Sequence, residues 1–179
     1  RLTRIEREWS EGVSEDFKDI FGDWEHDEEP SEEDNAGKER RLDEKEVTVV
    51  GVFEHGELSA HGVPAQTFVL LQDRQERKVP IWIGRYEAIA IQTALDGERL
   101  DRPMTHDLVK IILDRIGATV DHIIVDDLWQ ETFYAKLCVT LNDQTYEIDC
   151  RPSDAIAIAV RTKAPVYVAE AVFKAVDSR

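Results

Sequence analysis

From Val47 onward the apolar positions follow a two-residue rhythm, then a helical one, then both again. Val47 to Phe53 and Gln66 to Gln72 are rich in β-branched and apolar residues, and Asp73-Arg74-Gln75-Glu76 forms a polar break before Val79 to Ile83. Such runs bounded by turn residues predict three strands. Arg85 to Leu95 then carries apolar residues at helical intervals and stops near Gly97. A second helix is predicted from Thr105 to Ile116, with Thr105 as its N-cap, Asp107 at its positive end and Gly117 as its stop. Strands return at Val120 to Val125, Thr132 to Leu141 and Thr145 to Cys150. A helix at Ser153 to Thr162, a strand at Val166 to Ala169 and a short helix through Val172, Phe173 and Val176 complete the pattern. Short turns between successive strands favour an α+β fold with a mainly antiparallel sheet over a doubly wound parallel one.

Upstream the rhythm disappears. Residues 25–46 are charged and almost free of apolar side chains, so they cannot offset chain entropy and are expected to be a disordered linker. Before them, Phe17, Ile20, Phe21 and Trp24 stand at i, i+3, i+4 and i+7, one face of a short helix. With Leu2, Ile5 and Trp9 they suggest either a segment that docks on a protein partner or a solvated tail, and Gly22 weakens the helix. The expected organisation is an acidic tail and linker over 1–46 and a domain over 47–179.

Two stretches of the domain echo each other. Ile81-Trp82-Ile83-Gly84-Arg85-Tyr86-Glu87-Ala88-Ile89-Ala90-Ile91 aligns with Ile148-Asp149-Cys150-Arg151-Pro152-Ser153-Asp154-Ala155-Ile156-Ala157-Ile158. Each reads as a strand end, a polar junction, an acid and a small-and-apolar helix, which predicts duplicated β-β-β-α units. A second echo, Arg102-Pro103-Met104-Thr105-His106-Asp107 against Arg151-Pro152-Ser153-Asp154, opens two helices with Arg-Pro, a hydroxyl and a carboxylate.

Charge and cysteine content narrow the class. The 179-residue chain has a formal net charge of −16, with 18 acidic and 8 basic residues in 1–46 against 20 and 14 in 47–179. This acidity disfavours tight nucleic-acid binding through phosphate contacts, but leaves room for a metal-assisted enzyme acting on phosphodiesters. No apolar run approaches the roughly 20 residues of a membrane span, and no basic-then-apolar leader is evident. If Leu137 to Leu141 and Gln144 to Ile148 pair across Asn142-Asp143, Cys138 and Cys150 face opposite sides. Two unpaired strand thiols fit a reducing cytoplasm.

Gly-x-Gly-x-x-Gly, P-loop, His-Glu-x-x-His, Cys-x-x-Cys and Gly-x-Ser-x-Gly patterns are all missing from the sequence, which leaves the helix junctions as the place for chemistry. Arg102, Thr105, Arg151 and Ser153 are candidate phosphate contacts, since helix N-termini and guanidinium groups both favour anions. His106 can move a proton near neutral pH, and Glu87, Asp107 and Asp154 join it as candidate catalytic groups. Glu87, Asp107, Asp149 and Asp154 are candidate oxygen ligands for Mg²⁺ or Mn²⁺; Asp126-Asp127 is a weaker pair. The competing structural roles are plain: capping for Thr105, Ser153 and Asp154, ion pairs with Asp107, Asp149 or Glu87 for the arginines, and a surface histidine at 106. Glu87 and Asp154 stand out because they occupy matching places in the two echoes. Trp82 and Trp129 could stack on bases or pack in a core or interface.

At these residues the chain resembles the bifunctional nuclease domain family. The matching pieces are Val79-Pro80-Ile81-Trp82-Ile83-Gly84 with Glu87-Ala88, then Arg102 to Leu108, Thr132-Phe133-Tyr134-Ala135, and Asp149 to Ala157, over about residues 47–176. The resemblance implies a compact α+β domain, often self-associating, with DNase and RNase activity in some members. It points to a metal-dependent nuclease with DNA or RNA as substrate, working as a homo-oligomer, with a dimer favoured. The rival expectation is a non-catalytic oligomeric module that binds an anion or acts as an adaptor through its tail.

Overall fold

The computed structural model describes residues 43–56, 66–98 and 100–178. The expected aromatic helix of the tail and nearly all of the linker lie outside the described residues. Seven strands are present: β1 (Glu44–His55), β2 (Gln66–Asp73), β3 (Lys78–Ile83), β4 (Thr119–Trp129), β5 (Thr132–Leu141), β6 (Gln144–Cys150) and β7 (Val166–Ala169). The helices are α1 (Arg85–Leu95), α2 (Thr105–Ile116), α3 (Pro152–Thr162) and α4 (Glu170–Asp177). The strands form one sheet in the order β3-β2-β1-β7-β4-β5-β6. Every pairing is antiparallel except β4 with β7. Because β7 is antiparallel to β1 and parallel to β4, the two three-stranded meanders run in opposite senses on either side of it.

Alternation along the strands sends one set of side chains to the helical side. Val69, Leu71, Val79, Ile123, Val125 and Val168 are fully buried there. Against them packs α3, whose Ala155, Ile156, Ala157 and Ala159 are also buried; the small residues allow close helix–sheet approach, and α1 and α2 flank this helix. Burying a side chain such as Ile156 stabilises the fold by about 1.5–3 kcal/mol. On the opposite face Phe53 and Phe68 stack at 5.7 Å between centroids, and Trp82 meets Phe68 edge-on at 5.0 Å.

The expected α+β class with a mostly antiparallel sheet is the observed one, and several local expectations are corrected. The first strand begins at Glu44 rather than Val47, because β1 extends far enough to pair Glu44 with Ala169. Strand β4 does not stop at Val125, so Asp126-Asp127 is not at a strand end. Asp126 lies 3.7 Å from Lys136, and Asp127 accepts the Leu128 N–H. The β5–β6 hairpin forms as expected, with Leu137 opposite Ile148 and Cys150 opposite Ala135. Asn142 and Asp143 take left-handed φ of 52° and 61°, a turn those residues tolerate well. Cys138 and Cys150 are free thiols, pushed up to about 11 mainly by burial. No helix among the described residues is long and apolar enough to cross a membrane.

Candidate functional site

Three helices each place an acid at their third residue: Glu87 in α1, Asp107 in α2 and Asp154 in α3. That position suits a carboxylate, because the first-turn N–H groups carry partial positive charge. The three acids nevertheless do different things. Asp107 turns back on its own helix, where its Oδ2 accepts the Met104 N–H at 2.8 Å, and its Oδ1 accepts from Arg161 Nε at 2.6 Å. Glu87 and Asp154 reach across to a shared partner. Arg151, the N-cap of α3, donates from Nε and an Nη to the two Asp154 oxygens at 2.7 and 3.0 Å. Its other Nη donates to Glu87 Oε1 at 3.1 Å.

His106, second residue of α2, completes the row with Nε2 3.1 Å from Asp154 Oδ1. Its Nδ1 is buried and has no hydrogen-bond partner among the described residues. With Nε2–H donating to the carboxylate, Nδ1 is left with a lone pair buried away from the cleft, and Nε2 is the nitrogen on the Asp154 side. Burial pushes the Asp154 carboxyl up, but hydrogen bonds from Arg151 and His106 outweigh it and hold the group below the ordinary range. Hydrogen bonding to Asp154 first, and then to Glu87, raises Arg151 above its ordinary value. Gly84, the N-cap of α1, makes this geometry possible: a Cβ there would stand 2.4 Å from Glu87 Oε2.

Two cavities meet at this row. One of about 150 Å³ is bordered by Tyr86, Glu87, Met104, His106, Arg151 and Asp154. A larger one, of about 290 Å³, lies between the end of β3, the β4–β5 turn and the start of α3, and shares Glu87 and Arg151 with the first. The Arg151 side chain is 66% exposed while its two carboxylate partners are half-buried. The cleft thus offers an exposed, partly neutralised guanidinium beside an oriented imidazole, able to engage an anion and move a proton.

The other expected site residues are placed differently. Thr105 borders the smaller cavity but is the first helical residue; Met104 is the N-cap, so Thr105 does not cap α2. Ser153 likewise does not start α3, which opens at Pro152; it is buried and borders the larger cavity. Arg102 is exposed and borders neither of these cavities. Asp149 stands opposite Lys136 in the β5–β6 ladder and, by alternation, points away from the face shared by Cys150 and the core. Of the four expected metal ligands only Glu87 and Asp154 therefore reach the cleft, and both are engaged by Arg151. Among the described residues no group of three or more His, Cys, Asp or Glu is arranged to hold an ion. As they stand, the side chains do not fit Mg²⁺ or Mn²⁺, which favour several oxygen ligands.

Arg161 is the residue that pattern reading overlooks. It is 6% exposed, donates to Asp107, and also donates to the carbonyls of Ala90 in α1 and Ala157 in α3. Burial pushes Asp107 up, while Arg161 and the Met104 N–H pull it below the ordinary range by more. One signal was available: an arginine directly after the small and apolar run Ala155 to Val160 needs buried partners.

The sequence profile described as the bifunctional nuclease domain matches residues 69–179, which include this entire row. An uncharacterized protein of Mycobacterium tuberculosis is 40% identical over 108 residues, 60% of this chain and 64% of the relative. Bifunctional nuclease 2 of Oryza sativa subsp. japonica is 32% identical over 130 residues, 70% of this chain and 40% of the relative. Bifunctional nuclease 2 of Arabidopsis thaliana is 30% identical over 109 residues, 59% of this chain and 33% of the relative. The chain thus spans under two thirds of the mycobacterial relative and well under half of the plant ones. With the profile covering more than half of its length, the chain belongs to the bifunctional nuclease domain family.

Proposed function

We propose that the cleft hydrolyses phosphodiester bonds of DNA or RNA. The observation that carries this is the convergence of Glu87, Arg151, Asp154 and His106 from three helix N-termini on one open cleft. The plant relatives are named as nucleases, which supports the same class. Arg151 engages the phosphate, His106 moves the proton, Asp154 orients His106, and Glu87 holds Arg151 in place between the two cavities. The residues differ from a ready divalent-cation site, so no step is assigned to an ion, and Mg²⁺ and Mn²⁺ enter the assay as variables. We also read the two β-β-β-α units as copies, because Glu87 and Asp154 occupy the same helical position and grip one arginine from opposite sides.

The test is hydrolysis of single- and double-stranded DNA and of RNA by the purified chain, with Mg²⁺ and Mn²⁺ titrated. His106→Ala and Glu87→Ala, purified in parallel, should each lose about 10²-fold or more, the usual scale of a positioned proton-transfer group. Unchanged rates in both variants would assign the activity to a contaminant and leave the rival reading, a non-catalytic anion-binding module. Self-association is expected under either reading: α2 leaves Leu108, Ile111, Ile112 and Ile116 between 42% and 54% exposed, a face suited to a second copy of the chain. Ile112→Lys should then lower the mass measured by sedimentation if this face joins two copies.

A further inference from the structure

We propose that the 290 Å³ cavity beside Arg151 is a subsite for one unstacked nucleobase, which makes single-stranded nucleic acid the substrate class. This rests on the phosphodiesterase reading of the neighbouring cleft.

The lining has the character of a base site. Ile81, Ile83, Phe133 and Pro152 supply an apolar floor, and Glu131 and Ser153 stand with Glu87 and Arg151 at polar positions around it. A nucleobase presents the complementary surface, two apolar faces and a polar edge. The volume of about 290 Å³ is at the lower limit for small-molecule sites, room for one ring system and not for a duplex. A paired base would have to leave its helix to enter, a penalty that a single strand largely avoids. Placement agrees: Arg151 borders both cavities, so a phosphate held there has the smaller cleft on one side and the apolar recess on the other.

Glu131 gives the second, independent observation. It sits in the β4–β5 turn, where Gln130 and Glu131 have left-handed φ of 44° and 67°. The Asn142-Asp143 turn of the next hairpin meets the same demand with residues that tolerate it. Gln and Glu do not tolerate it as readily, although Glu76 in the β2–β3 turn takes the same conformation. A carboxylate at the rim repels backbone phosphates and accepts hydrogen bonds from exocyclic amino groups. Adenine and cytosine carry such an amino donor at the position where uracil and thymine carry a carbonyl. The recess should therefore prefer amino-bearing bases.

Calorimetric titration of the full chain with AMP, UMP and ribose 5-phosphate tests this without requiring turnover. AMP should bind at least about 10-fold more tightly than ribose 5-phosphate and more tightly than UMP. Phe133→Leu should remove most of the base-dependent gain, and Glu131→Ala should remove the AMP-over-UMP preference. Equal binding of AMP and ribose 5-phosphate, or no binding of either at millimolar concentration, overturns the subsite. If Phe133→Leu is unstable, Glu131→Ala on the exposed turn still decides the case: an unchanged preference overturns it. Turnover of nucleic acid with no base-dependent gain would sink the subsite and spare the nuclease reading. Base-dependent binding without turnover would do the reverse.

Discussion

Two clusters built from the same residue types do opposite things with their charges. At the β2–β3 turn, Arg77 donates to Asp73 Oδ2 at 2.8 Å and to both Glu170 oxygens at 2.9 and 3.0 Å. Its guanidinium carbon also lies 4.1 Å from the centroid of Phe173. Asp73 further accepts the N–H groups of Gln75 and Arg77, and its side chain is 3% exposed. Hydrogen bonding there closes on itself and pins α4 to the sheet. In the cleft, Arg151 is likewise shared by two carboxylates, yet it is mostly exposed and borders two cavities. An arginine between two acids is therefore no sign of function in itself. The exposure of the arginine itself, 66% for Arg151 against 25% for Arg77, is what separates the cleft from a brace.

That contrast can be broken by substitution. The largest effect on stability should come from Arg77→Ala, which strands buried Asp73 and uncovers Phe173. Removing one partner of a buried pair costs about 3–5 kcal/mol, and the partial exposure of Arg77 places this case nearer 2 kcal/mol. Urea unfolding reads it directly, and a loss under 1 kcal/mol would mean that the cluster does not brace the fold.

Acid should weaken the molecule next. For Asp73, burial pushes the carboxyl up, but hydrogen bonds from Arg77 and the turn backbone outweigh it. Asp107 and Asp154 are lowered in the same balance. Groups whose folded values lie below the unfolded value of about 4 contribute fully above that pH, and the contribution is lost as pH falls through the folded values. Stability should be level from neutral pH down to about 5 and decline below about 4. Asp107→Asn should make that decline shallower; an identical slope would remove Asp107 from the account. The smallest effect belongs to Thr105→Ala. A true N-cap loses roughly 1 kcal/mol on such a change, whereas a first-turn residue on the surface should lose less than about 0.5 kcal/mol.

Much of this architecture was legible in the pattern of the chain. The spans Arg85–Leu95, Thr105–Ile116, Thr132–Leu141 and Val166–Ala169 follow directly from periodicity and turn residues, because each buries one face and is stopped by local chemistry. Gly117 ends α2 in the left-handed conformation its position suggested. The site was harder, since the matching Arg-Pro pairs are equal in sequence and unequal in place. Pro152 is the first residue of α3, so Arg151 sits at the N-cap and faces the cleft. Pro103 precedes the Met104 N-cap of α2, so Arg102 lies outside the helix end. A shift of two residues in where a helix begins decides which arginine can meet the acids, and no motif encodes that shift. Arg161 escaped for a related reason, because its partners come from two other helices and exist only once these pack.

The most direct test of the central claim compares Arg151→Ala with Arg77→Ala in both nuclease rate and urea unfolding. Arg151→Ala should lower the rate by about 10²-fold or more while changing stability by no more than about 1 kcal/mol, the scale of exposed ion pairs. Arg77→Ala should do the opposite, losing stability and, well below its unfolding midpoint, keeping its rate. Equal losses of rate and stability in both variants, or full activity in Arg151→Ala, would contradict the account.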